Sequence, residues 1–490
     1  MKPDVPAGDK LRDLRSGRIL PLLFRYAWPA LVTMTLNQLY NVIDRIYIGQ
    51  GCGPAAIAGL TLTFPIMGSL AAIGVLIGMG SSAILSIKLG EGDMPGAERA
   101  LGQCVALKLL FGVVFPPLMY FFGIGPIVDY MAGLGTTTEA IGYAKLYLRV
   151  LIFFNIFAHL GFGLSATMRA EGSPKQSMFC MMVGCFANLI LDPIFIFRSI
   201  PIPGTGLVLP GLGLQVLGAA WATNISMMAT CATAVWFYLS GRSVVRLRLS
   251  RIRIYRDIVL RVLAIGLSPC FMQMMGALFC FSINHAFSRW SGTLEEGTIQ
   301  ICSFGIVASV AFIFHTPAIG IQQGVAPIIG FNWGAKNGRR VLESLDKGLL
   351  LTGSFLFFGF LCMEFFAPWL CRAFAKQPEA VAAAAWGLRV SNIFIWSIFI
   401  NVCATTYFQS IGKPRMAILL SVLRQCLLLI PSVWILPHFM EDHILAIWLA
   451  MPVSDVLTAI ATIPPLVRER RRLRLMGDAP ESVPAGESAS

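Results

Sequence analysis

Charge is what this sequence has least of. Only 13% of its 490 residues are charged, whereas 56% are hydrophobic and the mean hydropathy is +0.72. Soluble globular proteins carry about 25% charged residues, so a soluble fold of this composition would expose more apolar surface than water tolerates. Paired cysteine spacing is missing too. The 12 cysteines, among them Cys104, Cys185, Cys231, Cys302 and Cys403, stand mostly singly inside apolar runs and form no CxxC. They read as small buried hydrophobes, not as a disulfide or metal framework. The five histidines (His159, His285, His315, His438, His443) are dispersed, and no HxxxH, GxSxG or P-loop spacing occurs. Enzyme chemistry of those kinds has no residues to carry it. No apolar h-region follows the charged segment Met1 to Gly17, so no cleavable signal peptide is expected.

Long apolar runs are what the sequence does have. They fall at about 24–48, 56–86, 100–123, 140–165, 176–197 and 215–239, then at about 258–287, 299–331, 348–370, 382–408, 416–437 and 443–467. A membrane-spanning helix needs about 20 apolar residues. Twelve spans use nearly the whole chain and leave no room for a sizeable soluble domain. The expected fold is an all-α polytopic membrane protein. Lys and Arg then sort by side: the loops sharing a side with the two termini hold 28, the opposite loops only Arg198, Arg289, Arg372 and Lys376. The positive-inside rule places both termini in the cytoplasm. It also accounts for the net charge of +13 without a nucleic-acid partner.

An internal repeat divides the spans. Shifted by about 240 residues, Trp28-Pro29-Ala30 falls on Ser268-Pro269-Cys270, and Gly80 and Gly90 fall on Gly324 and Gly334. The turn from Arg169 to Lys175 falls on Gln409 to Arg415, and Gly218-Ala219-Ala220-Trp221 roughly on Leu445-Ala446-Ile447-Trp448. Six spans is an even number, so both halves enter the membrane in the same direction as parallel repeats about an axis along its normal. The expected layout is a cytoplasmic segment 1–18, an N-terminal six-helix lobe 19–240, an Arg-rich cytoplasmic linker 241–257, a C-terminal six-helix lobe 258–467, and a basic end with a disordered tail at 468–490. Two such bundles enclose a central cavity, and rocking one against the other transports its contents.

Charge inside hydrocarbon is expensive and marks function. Asp44 lies about 15 residues beyond Pro29 in the first span, and Asp192 about 17 beyond Lys175 in the fifth. At 1.5 Å per residue both reach a similar depth in the outer half of the membrane. Asn188, four residues before Asp192, shares its helix face. Pro193 cannot donate to the carbonyl of Leu189, which leaves an acceptor free. Tyr147 and Thr223 arrive at comparable depth from the other direction. These oxygen donors suit a hard cation, and two close carboxylates would also hold a proton. A plainer alternative pairs Asp44 with Arg45 and satisfies Asp192 at helix ends. The repeat equivalents of Asp44, Asn188, Asp192 and Thr223 are about Asn284, Leu428, Ser432 and Ala450, so this polarity belongs to the N-terminal half alone. The C-terminal half has its own Arg389, Arg424 and Asp455, whose opposite signs read as a structural pair.

Several motifs now carry a resemblance. They are Pro29 with Gln38-Leu39-Tyr40-Asn41-Val42-Ile43-Asp44, Met168-Arg169-Ala170-Glu171-Gly172, Asn188-Leu189-Ile190-Leu191-Asp192-Pro193-Ile194-Phe195, and Gly218-Ala219-Ala220-Trp221-Ala222-Thr223. Gly330-Phe331-Asn332-Trp333-Gly334-Ala335-Lys336-Asn337 and Gln409-Ser410-Ile411-Gly412-Lys413-Pro414 continue it in the second half. From about Leu20 to Pro465 the chain resembles the multidrug and toxic compound extrusion (MATE) family, in particular its MepA-like bacterial branch. The resemblance implies a V-shaped pair of lobes in the bacterial inner membrane, a monomer without cofactor, and efflux of drug-like, often cationic compounds against inward H⁺ or Na⁺. The family's coupling site falls on Asp44, Asn188, Asp192 and Thr223; its fourth-span tyrosine best matches Tyr147, with Tyr143 on the same face. Na⁺, if used, would sit at Asp44, Asn188 and Asp192; no other metal is implied. Some members use a seventh-span Glu, where this chain offers only Gln273. The rival reading is a lipid-linked oligosaccharide flippase of the same superfold, which would be expected to show basic residues in its cavity. Gln38, Met274, Gln322 and Gln323 are the candidate cavity residues, because their segments should border the cleft between lobes.

Overall fold

In a computed structural model of the chain, the residues described are 7–132, 137–201, 208–374 and 378–478. A short helix α1 (Ala7–Ser16) precedes α2 (Ile19–Cys52), α3 (Pro54–Gly90), α4 (Met94–Leu118) and α5 (Ile124–Ala132). The N-terminal lobe continues with α6 (Thr138–Ala170), α7 (Pro174–Ile196) and α8 (Gln215–Leu239). The C-terminal lobe holds α9 (Arg256–Trp290), α10 (Leu294–Gly334), α11 (Gly338–Phe365), α12 (Ala367–Arg372), α13 (Pro378–Asn392) and α14 (Ile398–Ser410), then α15 (Pro414–Val422), α16 (Ile430–Ile435) and α17 (His443–Asp478). A π-helical turn at Met119–Gly123 joins α4 to α5 directly after Pro116 and Pro117, and another at Leu423–Leu429 joins α15 to α16. A proline lacks the amide hydrogen that a regular turn needs, which favours such irregularity. One small antiparallel hairpin, β1 (Ser199–Pro201) with β2 (Val208–Pro210), caps the α7–α8 connection.

Among the described residues, eleven helical stretches are long and apolar enough to cross a membrane. The twelfth span is α8. Its 25 residues suffice for a crossing, but Thr223, Asn224, Ser226, Thr230 and Thr233 dilute its hydropathy. Those polar groups are largely satisfied inside the protein: Ser226 and Thr230 each donate to the carbonyl four residues back, and Asn224 donates to the carbonyl of Val150. Twelve transmembrane helices in two lobes is the architecture.

The repeat reads out at atomic level. The α3–α4 and α10–α11 turns end in helix caps: Asp93 accepts from the amide of Gly96, and Asn337 from that of Arg340. The left-handed turn residue is Gly92 (φ 77°) in one half and Lys336 (φ 56°) in the other. Gly172 and Gly412 (φ 95° and 73°) fill the matching turns after α6 and α14, a conformation that costs glycine nothing. The lobes meet on the side rich in Lys and Arg. There Gly90 lies against the carbonyl of Phe331 and Gly334 against that of Ile87, while Gly80 faces Val262 and Gly266 faces Leu76. A side chain at any of these would push backbone against backbone, so glycine sets how closely the apex of the V can close.

α1 fastens the same end. Lys10 Nζ donates to Ser173 Oγ (3.1 Å) and to the carbonyl of Arg242 (3.0 Å) in the N-terminal half. From the other half, Arg340 donates to the carbonyls of Leu14 (3.1 Å) and Gly17 (2.9 Å), and Asn332 to that of Leu14 (3.2 Å). The segment 468–490 departs from its expectation in part. Residues 468–478 continue α17, anchored by Glu469 to Lys413 and Arg470 to Asp346. The expected disordered tail lies outside the described residues beyond 478.

Candidate functional site

The N-terminal lobe brings four helices to one buried polar point. α2 delivers Asp44, and α7 delivers Asn188 and Asp192 one turn apart, with Asn188 Nδ2 donating to Asp192 Oδ1 at 3.1 Å. The carboxyl groups of Asp44 and Asp192 are immediate neighbours. From the opposite direction α6 delivers Tyr147, which neighbours Thr223 of α8 and both acids. Asn188 and Asp192 are 3% and 1% exposed. Asp44 Oδ1 and Asn188 Oδ1 are buried and accept no hydrogen bond among the described residues.

That arrangement decides what the site can hold. Ionised carboxyls only accept, so their contact needs a proton or a metal cation between them. Two unpartnered oxygens beside it are what a hard cation takes. No ion pair between Asp44 and Arg45 is present among the described residues, although the Arg45 charge acts on Asp44; the Arg45 guanidinium stacks on the Phe64 ring, 4.3 Å from its centroid. Tyr143 lies away from the acids, packed over Gly59 and beside Glu139, which leaves Tyr147 as the tyrosine at the site.

Next to the acids, a cavity of about 550 Å³ opens between the lobes. Tyr40, Asn188 and Thr223 belong both to its wall and to the acid cluster. Gln38 lines it from the N-terminal lobe, and Gln322 and Gln323 from the other. Gln322 is tied into its own lobe by bonds to Thr352 Oγ1 (2.6 Å) and Cys403 Sγ (3.1 Å), whereas Gln323 Oε1 has no partner among the described residues. Met274 does not line it. That residue is 46% exposed, and Met272 and Gln273 border the cavity instead. Successive residues on a helix turn through 100°, so a position one residue off the facing line looks elsewhere.

Three groups escaped the sequence reading. Tyr40 sits one turn before Asp44 on the same face, a spacing that could have revealed it. Asn155 and His159 continue the line of Tyr147 along α6 at four-residue steps and reach the cavity wall. Lys108, in the middle of α4, is 1% exposed and donates to the carbonyl of Gly74 at 3.0 Å. In the C-terminal lobe Arg424 Nε meets Asp455 Oδ1 at 3.0 Å, and Arg389 donates to the carbonyl of Glu364.

Two six-helix lobes related by a parallel repeat, with a cavity between them and buried acids in one, are the architecture of a membrane transporter. The sequence model of the MatE family matches residues 29–194 and 269–435, and the chain belongs to that family. The multidrug export protein MepA of Staphylococcus saprophyticus is 24% identical over 415 residues, covering 84% of this chain and 86% of that one. A ligand-bound structure of the MATE multidrug transporter DinF-BH is 30% identical, with a TM-score of 0.81 over 93% of this chain and 96% of that one. An outward-facing MATE transporter of the MOP superfamily superposes with a TM-score of 0.85 over 97% and 99% at 22% identity, a likeness of fold.

Proposed function

We propose that the protein is a secondary active multidrug efflux transporter of the bacterial plasma membrane, exporting drug-like, often cationic compounds against inward H⁺ or Na⁺. One observation carries this reading. Tyr40, Asn188 and Thr223 are shared between the acid cluster and the cavity wall, so filling the cluster changes the surface that holds substrate. A ligand shifts a conformational equilibrium only through its different affinity for the two states. The ion meets that requirement if it binds Asp44 and Asp192 only while α2 and α7 bring them together. For an inward-moving monovalent cation the membrane potential adds about 2.3 kcal/mol per 100 mV.

The positive-inside rule puts the closed, Lys- and Arg-rich apex of the V in the cytoplasm, with both termini, so this conformation faces outward. The lobes 19–240 and 258–467 then move as two bodies, with 241–257 as their link, in a monomer that needs no cofactor. The flippase reading asks for basic groups to meet pyrophosphate. Among the described residues no Lys or Arg lines the cavity, and its polar side chains are chiefly amides and hydroxyls, with the His159 imidazole, which favours organic substrates. Proteoliposomes with an imposed proton gradient or an imposed Na⁺ gradient test the proposal. Drug uptake into inverted vesicles should follow one gradient and vanish when it is collapsed. Uptake indifferent to both would overturn it.

A further inference from the structure

Lys108 is a buried cation that the coupling cluster does not use. Its ammonium donates to the Gly74 carbonyl and lies 5.9 Å from the centre of the Phe162 ring. The ionisable groups around it are Cys104 on its own helix and His159 on α6, and no ion pair with a carboxylate is present among the described residues. An ammonium in this setting is costly without an anion. Its place is nonetheless built into the packing. Gly163 provides the space its side chain fills, and Gly74 the space for the His159 ring; a Cβ at either would overlap them.

In front of this charge stands the cavity wall. Gly74, Asn155, His159 and Phe162 all line it. Asn155 and His159 are 6% and 5% exposed, and Asn155 Nδ2 and His159 Nε2 have no hydrogen-bond partner among the described residues. One turn apart on α6, they sit on the same face. As the Nε2–H tautomer, His159 adds a second donor to the Asn155 amide. Two unused donors with a cation behind them form a receptor for an anionic oxygen group, and among the described residues no Asp or Glu lines the cavity to compete.

We infer that Asn155 and His159, backed by Lys108, form a carboxylate subsite in the drug cavity, so that the transporter prefers zwitterionic substrates to their cationic esters. This rests on reading the cavity as the drug site. Asn155 Nδ2 and His159 Nε2 are closed off in this conformation and meet the carboxylate after a rotation of their side chains towards the cavity, and Lys108 acts through its field as a positioning residue. Charge-assisted hydrogen bonds are about twice as strong as neutral ones, so the free acid should bind tighter by roughly tenfold.

The test compares a rhodamine bearing a free carboxylate with its ethyl ester, which share one chromophore. Fluorescence anisotropy with purified protein in detergent gives both affinities. Wild type should favour the acid. Lys108→Met and Asn155→Leu should each bring the ratio towards one by weakening the acid more than the ester, and Asn155→Asp should reverse it by repulsion. Equal binding of the two dyes by wild type, which needs no variant to fold, would overturn the subsite while leaving the cavity reading intact. Equal weakening of both dyes by Lys108→Met would assign that lysine to packing and also defeat the inference. If neither dye binds, the cavity reading fails along with it.

Discussion

The two lobes share a fold and differ in how they treat buried charge. In the C-terminal lobe Arg424 and Asp455 neutralise each other at 3.0 Å. The place of Thr223 is taken by Ala450, in a core packed with Trp448, Phe287 and Phe304. In the N-terminal lobe two acids share a contact with no basic partner bonded to them, and acceptor atoms are left over. A closed ion pair fixes a structure, whereas an incomplete one waits for a ligand. On the proposed reading, the same scaffold carries one half with its buried charge paired and one half whose electrostatics an ion would change.

Removing the acids should produce the largest effect. Asp44→Asn and Asp192→Asn should each fold and reach the membrane, yet lower gradient-driven efflux to the background of empty vesicles. Binding of drug in detergent should survive in at least one variant, with its dependence on pH or Na⁺ flattened. Strong ion-driven efflux by the double variant would break the comparison and return Asp455 to candidacy as the coupling acid.

Next comes the closed pair. Stranding one member of a buried ion pair costs about 3–5 kcal/mol, so Arg424→Met or Asp455→Asn alone should sharply reduce the yield of folded protein. The double variant should recover part of it, a coupling that thermal unfolding of the four proteins would measure. Normal folding with lost transport in the single variants would make the C-terminal lobe functional too. A smaller effect is expected at Gln273. It stands where the family resemblance would allow an acid, but it is an amide on the cavity wall. Gln273→Ala should alter drug affinity modestly and leave ion dependence in place; a loss of that dependence would move coupling into the second lobe.

Much of this contrast was legible in the sequence because it depends on period and length. Apolar runs gave the spans, four-residue spacing put Asn188 beside Asp192, and helical rise brought Asp44 to their depth. The offset of Gly90 and Gly334 marked the repeat, though not that the two pack reciprocally across the apex. What escaped depends on rotation about a helix and on contacts distant in sequence. Gln273 and Met274 differ by one step of 100°, too fine for a choice by composition. Lys108 is one cation in an apolar run, and only the packing of α3 and α6 around it distinguishes it from a residue reaching the membrane surface. The grip of Arg340 on Leu14 joins positions 326 residues apart, which no local pattern encodes.

The smallest expected effect sharpens the comparison at the apex, outside the spans. Glu171 occupies the turn after α6 where the other lobe has Ile411, and both side chains are buried. Glu171 accepts a bond from the Val245 amide at 3.1 Å and lies near Lys10, but burial outweighs both and raises its pKa from 4.5 to about 8. The sign of the linkage follows. Below pH 4.5 the folded and unfolded states both carry the proton, and between 4.5 and about 8 only the folded state keeps it. Stability should therefore fall as pH rises through that window and level off above it. Thermal unfolding in detergent from about pH 5 to about pH 9 should show this decline, and Glu171→Gln should flatten it. An Ile411→Glu variant should steepen it by burying a second acid at the matching turn. A wild-type curve that rises over the same range would mean that Lys10 holds Glu171 ionised in the folded protein, making this turn a closed ion pair like that of the other lobe.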